Sequence, residues 1–375
     1  MKAGIGRPLD KGRGLDYNKF GIMSKKLQVA LLFGGRSAEH DVSVTSAAAV
    51  YSHLDPAKYQ VTCLYINREG GWRRVDSPLA PAEERERGEF SAFLPWAAQN
   101  GAEPFEADVY FPVLHGPYGE DGTIQGLFEM ADVAYVGAAV LASAVGMDKA
   151  VAKSLFLSRG LPVGAFDVLF DRDWRRDPEA LLRAVREAYS PPFFVKPANL
   201  GSSVGISKVK THSETSRAVD NAFQYDRKIL VEEGILGREI ECSVIGNDEP
   251  RASLPGEVIP FREFYDYRDK YIEGKTRFGI PADLPDELTN EIRRLAVEAF
   301  KAVDGCGMAR VDFFVQAGTD RVYLNEVNTI PGFTQISMYP KLWEASGLGF
   351  SPLLEELIRL GLERHGNRKR KVERG

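Results

Sequence analysis

Cysteine is scarce in this 375-residue chain: Cys63, Cys242 and Cys306 lie far apart and form no C-x-x-C pair. That excludes a disulfide framework and a zinc site of the usual spacing, and leaves buried thiols in a reducing compartment as the reading. Long hydrophobic runs are missing too. The longest uncharged run, Val133 to Met147, falls short of the about 18 residues that a membrane span needs. Nor is there an excess of positive charge. Lys and Arg number 48 against 53 Asp and Glu, for a formal net charge of -5, which excludes a broad basic footprint for nucleic acid. Residues 1–23 carry scattered Lys, Arg and Gly without the apolar core of a secretory signal. They are expected to form a disordered extension, with Met23 the natural start. The two common nucleotide fingerprints, G-x-x-x-x-G-K-[ST] and a strand followed by G-x-G-x-x-G, are absent as well. Phosphates, if bound, need another cradle.

What is present is ordinary globular composition, 44% hydrophobic, 10% aromatic and 27% charged, in a chain long enough for two or three domains at about 150 residues each. From Lys25 onward strand-like and helix-like segments alternate, which points to layered α/β or mixed architecture. Leu27 to Phe33 reads as a strand buried on both faces and stops at Gly34-Gly35. A helix capped by Ser43, strands at 59–66 and 108–113, a helix capped by Asp121 and a strand at 133–136 complete a first unit near residue 140. Beyond it the pattern predicts a helix from Met147 to Ser158, one begun by Pro178, and short strands at 193–196, 205–209 and 229–232. A strand at 239–245, a long amphipathic helix at 288–303 and a hairpin of 311–316 with 321–327 follow. Ser351-Pro352 starts a last helix, and a basic solvated tail runs from Arg364.

Two constellations carry chemistry. In Lys196-Pro-Ala-Asn-Leu-Gly-Ser-Ser-Val-Gly205 a lysine ends an apolar strand and small residues form a turn. Backbone N–H groups there can approach phosphate oxygens while the ammonium supplies charge. In the hairpin, pairing Gln316 with Arg321 sets Asp312 opposite Asn325, one residue from Glu326, with Arg310 and Asn328 close by. Two carboxylates and an amide are hard oxygen ligands suited to Mg²⁺. Loops at Gly34 to His40 and His115 to Gly122 stand at strand ends, where open α/β sheets form ligand crevices.

The segments FGGRSAEHDVS, LHGPYGEDGTIQG, MDKAVAK, FFVKPANLGSSVG, VEEGILGREIECSV, EFYDYRDKY, ARVDFFV and LNEVNTIPGFTQISMYP, in that order, resemble the D-alanine:D-alanine ligases of the ATP-grasp superfamily. The resemblance implies a three-domain ATP-grasp architecture, an N-terminal open α/β domain at 24–140 and two α+β units at 141–233 and 234–365 that clamp ATP. A basic tail fills 366–375. It further implies that Lys149 and Lys196 contact ATP phosphates under a loop carrying Ser202 and Ser203. Glu232, Glu233 and Ile235 would meet adenine, Glu239 the ribose, and Lys270 the nucleotide. Asp312, Glu326 and Asn328 match metal ligands for Mg²⁺, with Mn²⁺ a possible substitute. Arg310 and the N–H of Gly332 match groups that stabilise the phosphorylated intermediate. Glu39 matches the carboxylate near the first amine, and Ser202 and Tyr271 its partners in closure. His115 and Ser337 match substrate-side positions. One departure is the acidic Glu233, where relatives often carry lysine.

The implied reaction is ATP-dependent joining of two D-alanines through an acyl phosphate, for bacterial peptidoglycan synthesis. A cytoplasmic homodimer without nucleic-acid or membrane partners is expected. A D-alanine:D-lactate or D-alanine:D-serine ligase with the same machinery is the alternative, and Lys270-Tyr271 resembles the dipeptide-forming type. A protein that senses ATP without turnover would have to lack a metal ligand or Arg310, and none is missing.

Overall fold

The computed structural model describes residues 25–90, 106–259 and 276–367. The segment EFYDYRDKY with Lys270 and Tyr271, the expected N-terminal extension and the end of the basic tail lie outside them. Three sheets organise the described residues. The first contains β1 (Leu27–Gly34), β2 (Tyr59–Ile66), β3 (Trp72–Val75) and β4 (Val109–Pro112), with α1 (His40–His53) after β1 and α2 (Ala82–Glu86) between β3 and β4. Its order is β3-β2-β1-β4, and β1 runs parallel to both β2 and β4. Parallel strands are covered on both faces, which is why β1 is apolar and buried from Val29 to Phe33. Val29, Leu31 and Phe33 point into one core, Ala30 and Leu32 into another that contains Ile124 and Phe128 of α3 (Thr123–Met130).

Next come α4 (Val140–Met147) and α5 (Lys149–Ser158). The second sheet, of order β5-β8-β6-β7, is antiparallel throughout. It is formed by β5 (Phe166–Phe170), β6 (Phe193–Pro197), β7 (Ser207–Val209) and β8 (Lys228–Glu233). Interspersed are α6 (Asp171–Arg176), α7 (Pro178–Ala188) and α8 (Thr215–Phe223). Phe193, Val195, Ile229 and Val231 turn toward these helices. By the two-residue period of a strand, Lys196 and Glu232 face the other way.

The third sheet has order β12-β11-β9-β13-β14, with β10 on β9. Its members are β9 (Gly237–Gly246), β10 (Arg251–Ala252), β11 (Gly256–Ile259), β12 (Arg277–Gly279), β13 (Gly307–Gln316) and β14 (Val322–Asn328). The long helix α9 (Asp286–Ala302) packs Leu288, Ile292, Leu295 and Ala299 against Val311, Phe313 and Val315. Arg310, Asp312 and Phe314 therefore occupy the opposite face, toward the second sheet. After α10 (Met338–Ala345), α11 (Phe350–Asn367) lays Leu353, Leu354 and Leu357 on the core of the first sheet.

Several sequence expectations shift. Ser43 does not cap α1, which starts at His40; its hydroxyl accepts from Gly34 N at 2.8 Å and donates to the Val113 carbonyl, tying helix to strand ends. The segment 133–136 makes one bridge, Tyr110 with Tyr135, not a strand. The helix expected from Met147 to Ser158 is α5, which begins at Lys149 because the Asp148 carboxylate caps it by accepting from Val151 N at 3.1 Å; α4, which precedes it, is not among the expected elements. Arg364 lies within α11 rather than in a tail. Its guanidinium stacks 4.2 Å from the Tyr135 ring centroid and donates to the Tyr135 carbonyl at 2.9 Å.

The hairpin register also differs. From the turn to Phe313 pairing follows the expected phase, Val315 with Val322 and Phe313 with Leu324. A β-bulge then intervenes, so Asp312 pairs with Glu326 rather than Asn325, and Arg310 with Asn328. Burial explains it: an unbroken phase would turn Glu326 and Asn328 into the core and Val327 toward the cleft. With Asn325 as the extra residue, Val327 is 3% exposed and packs with Val311, while Asn325 and Glu326 both remain on the polar face.

Candidate active site

A cleft of about 400 Å³ opens between the second and third sheets. Lys149, Lys196, Ser203, Glu232, Glu233, Ile235, Glu239, Asp312 and Glu326 line it, so most of the expected nucleotide and metal residues converge. Lys149 and Lys196 are 7% and 6% exposed. Lys196 Nζ rests 2.6 Å from Glu232 Oε2. Lys149 Nζ lies 3.4 Å from Glu326 Oε2 and donates to the Leu200 carbonyl at 2.7 Å, which anchors the small-residue loop. Sequence reasoning missed Lys153, one helical turn beyond Lys149 on the same face of α5. Its ammonium is 3.5 Å from Glu232 Oε1, and burial pulls it down to about 8. Burial alone would push the Glu232 carboxyl up, but Lys153 and Lys196 outweigh that and hold it below its ordinary range.

Glu233 explains its own departure from the lysine of relatives. Its carboxylate accepts from Ala165 N at 2.7 Å, and its backbone N–H donates to the Ala165 carbonyl at 3.0 Å. The side chain stitches the strand edge to the loop before β5. In the loop over the cleft, Ser202 and Ser203 both adopt left-handed backbone, with φ 51° and 58°, a strained arrangement for residues with a Cβ. Ser202 is held there by a hydrogen bond to Glu39 Oε1.

Glu39 thus links the first sheet to the loop. Two of its neighbours are glycines: a Cβ at Gly116 would stand 2.5 Å from Glu39 Oε2 and one at Gly201 3.3 Å, so a side chain at either would make the carboxylate shift. His115 is 4% exposed, with Nδ1 3.0 Å from the Ile330 carbonyl and Nε2 3.0 Å from Ser46 Oγ. Ser46 Oγ also accepts from Phe333 N at 3.2 Å, so its hydroxyl proton goes to Nε2 and Nδ1 carries the ring proton. Burial lowers the imidazole pKa and keeps it neutral. Both ring nitrogens serve as tethers between α1 and the 330–333 loop. In that loop Ser337 Oγ accepts from Thr334 N at 3.0 Å, and a Cβ at Gly332 would meet it at 2.6 Å. The Ser337 hydroxyl thereby packs against the loop backbone.

Glu120, which the sequence reading passed over, is buried beside His115 and accepts from Gly116 N at 2.9 Å. Burial and the nearby Glu39 push its carboxyl up to about 8. A folded pKa raised above the unfolded value means that this group's stabilising contribution is complete below the unfolded pKa, near 4.5, and is lost as pH rises through about 8. Glu120→Gln is expected to flatten the fall in thermal midpoint between about pH 5 and pH 8, measured by scanning calorimetry; an unchanged fall would refute that origin.

On the third sheet Asp312 Oδ1 and Oδ2 accept from Arg310 at 2.7 and 2.6 Å, and Asn328 Nδ2 donates to Asp312 Oδ2 at 2.9 Å. Asp312, Glu326 and the Asn328 amide oxygen make a hard donor set on one face of two paired strands, a fit for a small divalent cation. Among the described residues no three His, Cys, Asp or Glu side chains converge as a metal cage.

The family model described as D-ala D-ala ligase N-terminus matches residues 28–138, and that described as D-ala D-ala ligase C-terminus matches residues 155–359. The chain belongs to the D-alanine–D-alanine ligase family. Within it, the chain is 51% identical over 349 residues to the D-alanine–D-alanine ligase of Solibacter usitatus, covering 93% of this chain and 99% of the relative. It is 46% identical to that of Bacillus cytotoxicus, over 92% of this chain and 98% of that one. The D-alanine-D-alanine ligase structure from Coxiella burnetii superposes with TM-score 0.81 at 40% identity, covering 92% of this chain and 97% of that chain. The VanG D-Ala:D-Ser ligase from Enterococcus faecalis gives 0.80 at 34% identity, over 90% of this chain and all of the other, 100%. The fold is therefore the family's ATP-grasp architecture, and the chain is an ATP-dependent ligase.

Proposed function

We propose that the chain condenses two D-alanines to D-alanyl-D-alanine with ATP and Mg²⁺, for peptidoglycan synthesis. The observation that carries this is the convergence of Lys149, Lys196, Asp312, Glu326 and Asn328 on one cleft, with Glu39 joined to its covering loop. The two lysines hold the phosphates of ATP. Asp312, Glu326 and Asn328 would hold the metal, which supplies charge to the transferring phosphoryl group when bound. Arg310 faces the oxygens that gain charge, where positioning and electrostatics supply nearly all the catalysis. The carboxylate of the first D-alanine takes the γ-phosphoryl group. The free amine of the second then attacks the acyl phosphate, a C–N bond forms and inorganic phosphate leaves. Glu39 pairs with the ammonium of the first D-alanine. The three sheets correspond to domains at 24–140, 141–233 and 234–365, and the working form is a cytoplasmic homodimer.

Phosphate release should be measured with D-alanine, L-alanine, D-serine and D-lactate, singly and in pairs, with product masses recorded. Release with D-alanine alone and a dipeptide product supports the reading. Preference for D-serine or D-lactate as the second substrate replaces it with the depsipeptide or mixed-dipeptide alternative. Glu39→Gln should raise the KM for the first D-alanine at least about tenfold, the cost of one charged hydrogen bond. An unchanged KM would remove Glu39 from the substrate site.

A further inference from the structure

Three carboxylates line up across the third sheet. Glu241 of β9 stands opposite Asp312 of β13, which stands opposite Glu326 of β14. Like charges set directly across strands repel, so the row needs cations. Arg310 supplies one. It lies two residues from Asp312 on the same strand face, its Nε 2.7 Å from Asp312 Oδ1 and 3.1 Å from Glu241 Oε2. Glu241 is 7% exposed and belongs neither to the donor set nor to the groups assigned above to nucleotide or D-alanine.

Asp312 offers both its oxygens to the guanidinium, so a cation that it ligates competes with Arg310 for the same negative charge and weakens their pairing. Nε carries a single hydrogen, now directed at Asp312 Oδ1, and Glu241 Oε2 is within reach of that same hydrogen. We propose that Glu241 is a positioning residue: it takes over the Arg310 guanidinium when Asp312 ligates the metal, and so keeps Arg310 in the cleft for the phosphorylated substrate. Without Glu241, Arg310 would stay bound to Asp312 and compete with the cation. This rests on the metal role of Asp312 given above.

The test is Mn²⁺ titration followed by electron paramagnetic resonance on the full chain, with ADP present, alongside turnover and thermal midpoint. Glu241→Gln should weaken Mn²⁺ binding and lower kcat, each by about tenfold or more, with the midpoint little changed. The decisive arm is the double variant. A carboxylate that acted only by adding negative charge near the metal would matter at least as much without Arg310. If Glu241 acts through Arg310, Glu241→Gln on top of Arg310→Met changes neither Mn²⁺ affinity nor kcat further. Equal losses in both backgrounds, or wild-type Mn²⁺ affinity in Glu241→Gln, would overturn the proposal while leaving the metal site in place. Absence of Mn²⁺ binding in the wild type would overturn both. Should Glu241→Gln fail to fold, Glu241→Asp withdraws the charge without removing it and must move Mn²⁺ affinity in the same direction; wild-type values there refute the idea.

Discussion

Glu326→Gln should lower turnover at least about a hundredfold, the scale of losing one preorganised electrostatic contact in a water-excluded site. The substitution preserves shape while removing a formal charge from the donor set and from the ion pair with Lys149 at 3.4 Å. The side chain sits at the cleft face, not in the core, so the thermal midpoint should stay close to that of the wild type. Initial rates at saturating Mg²⁺ and a calorimetric scan on the same preparation separate the two. Unchanged turnover would show that the metal is held elsewhere.

Lys196→Met is expected to have the next largest effect, again about a hundredfold or more in kcat/KM for ATP. Its ammonium is 6% exposed and sits between Glu232 at 2.6 Å and Asn325 at 3.5 Å, aimed into the cleft. Removing it does not strand Glu232, because Lys153 remains 3.5 Å away on the other carboxylate oxygen. The loss should therefore appear in nucleotide kinetics rather than in folding. Isothermal titration with ADP and steady-state rates would show it; full retention of nucleotide affinity would assign the phosphate contact to another lysine.

The metal hairpin shows how far residue patterns reach. Alternation of apolar and polar residues from the turn located the strands and put Asp312 and Glu326 on one polar face, yet it set Asp312 against Asn325. The signal for the bulge was present: in Val322-Tyr-Leu-Asn-Glu-Val-Asn328 the apolar positions are 322, 324 and then 327, a break of phase that a regular strand cannot bury. Lys153 was similarly legible as the helical neighbour of Lys149. Glu241 and Glu120 were not. Each is one carboxylate among many until a neighbouring strand or loop brings it against Arg310 or Glu39.

What the sequence determined by itself was local and periodic. The buried strand β1, the amphipathic α9 and the glycine-bounded loop after Lys196 follow from residues near one another in the chain, because propensity and periodicity act over a few residues; the family resemblance rests instead on the order of motifs along the chain. The resemblance already implied that Ser202 partners Glu39, 163 residues away; tertiary structure alone decided the Lys196–Asn325 contact, 129 apart, the Arg310–Glu241 pair and the packing of α11 on the first sheet. The physical reason is that a strand's pattern says which face is buried, whereas which charges meet depends on the partner strand and the register that burial selects.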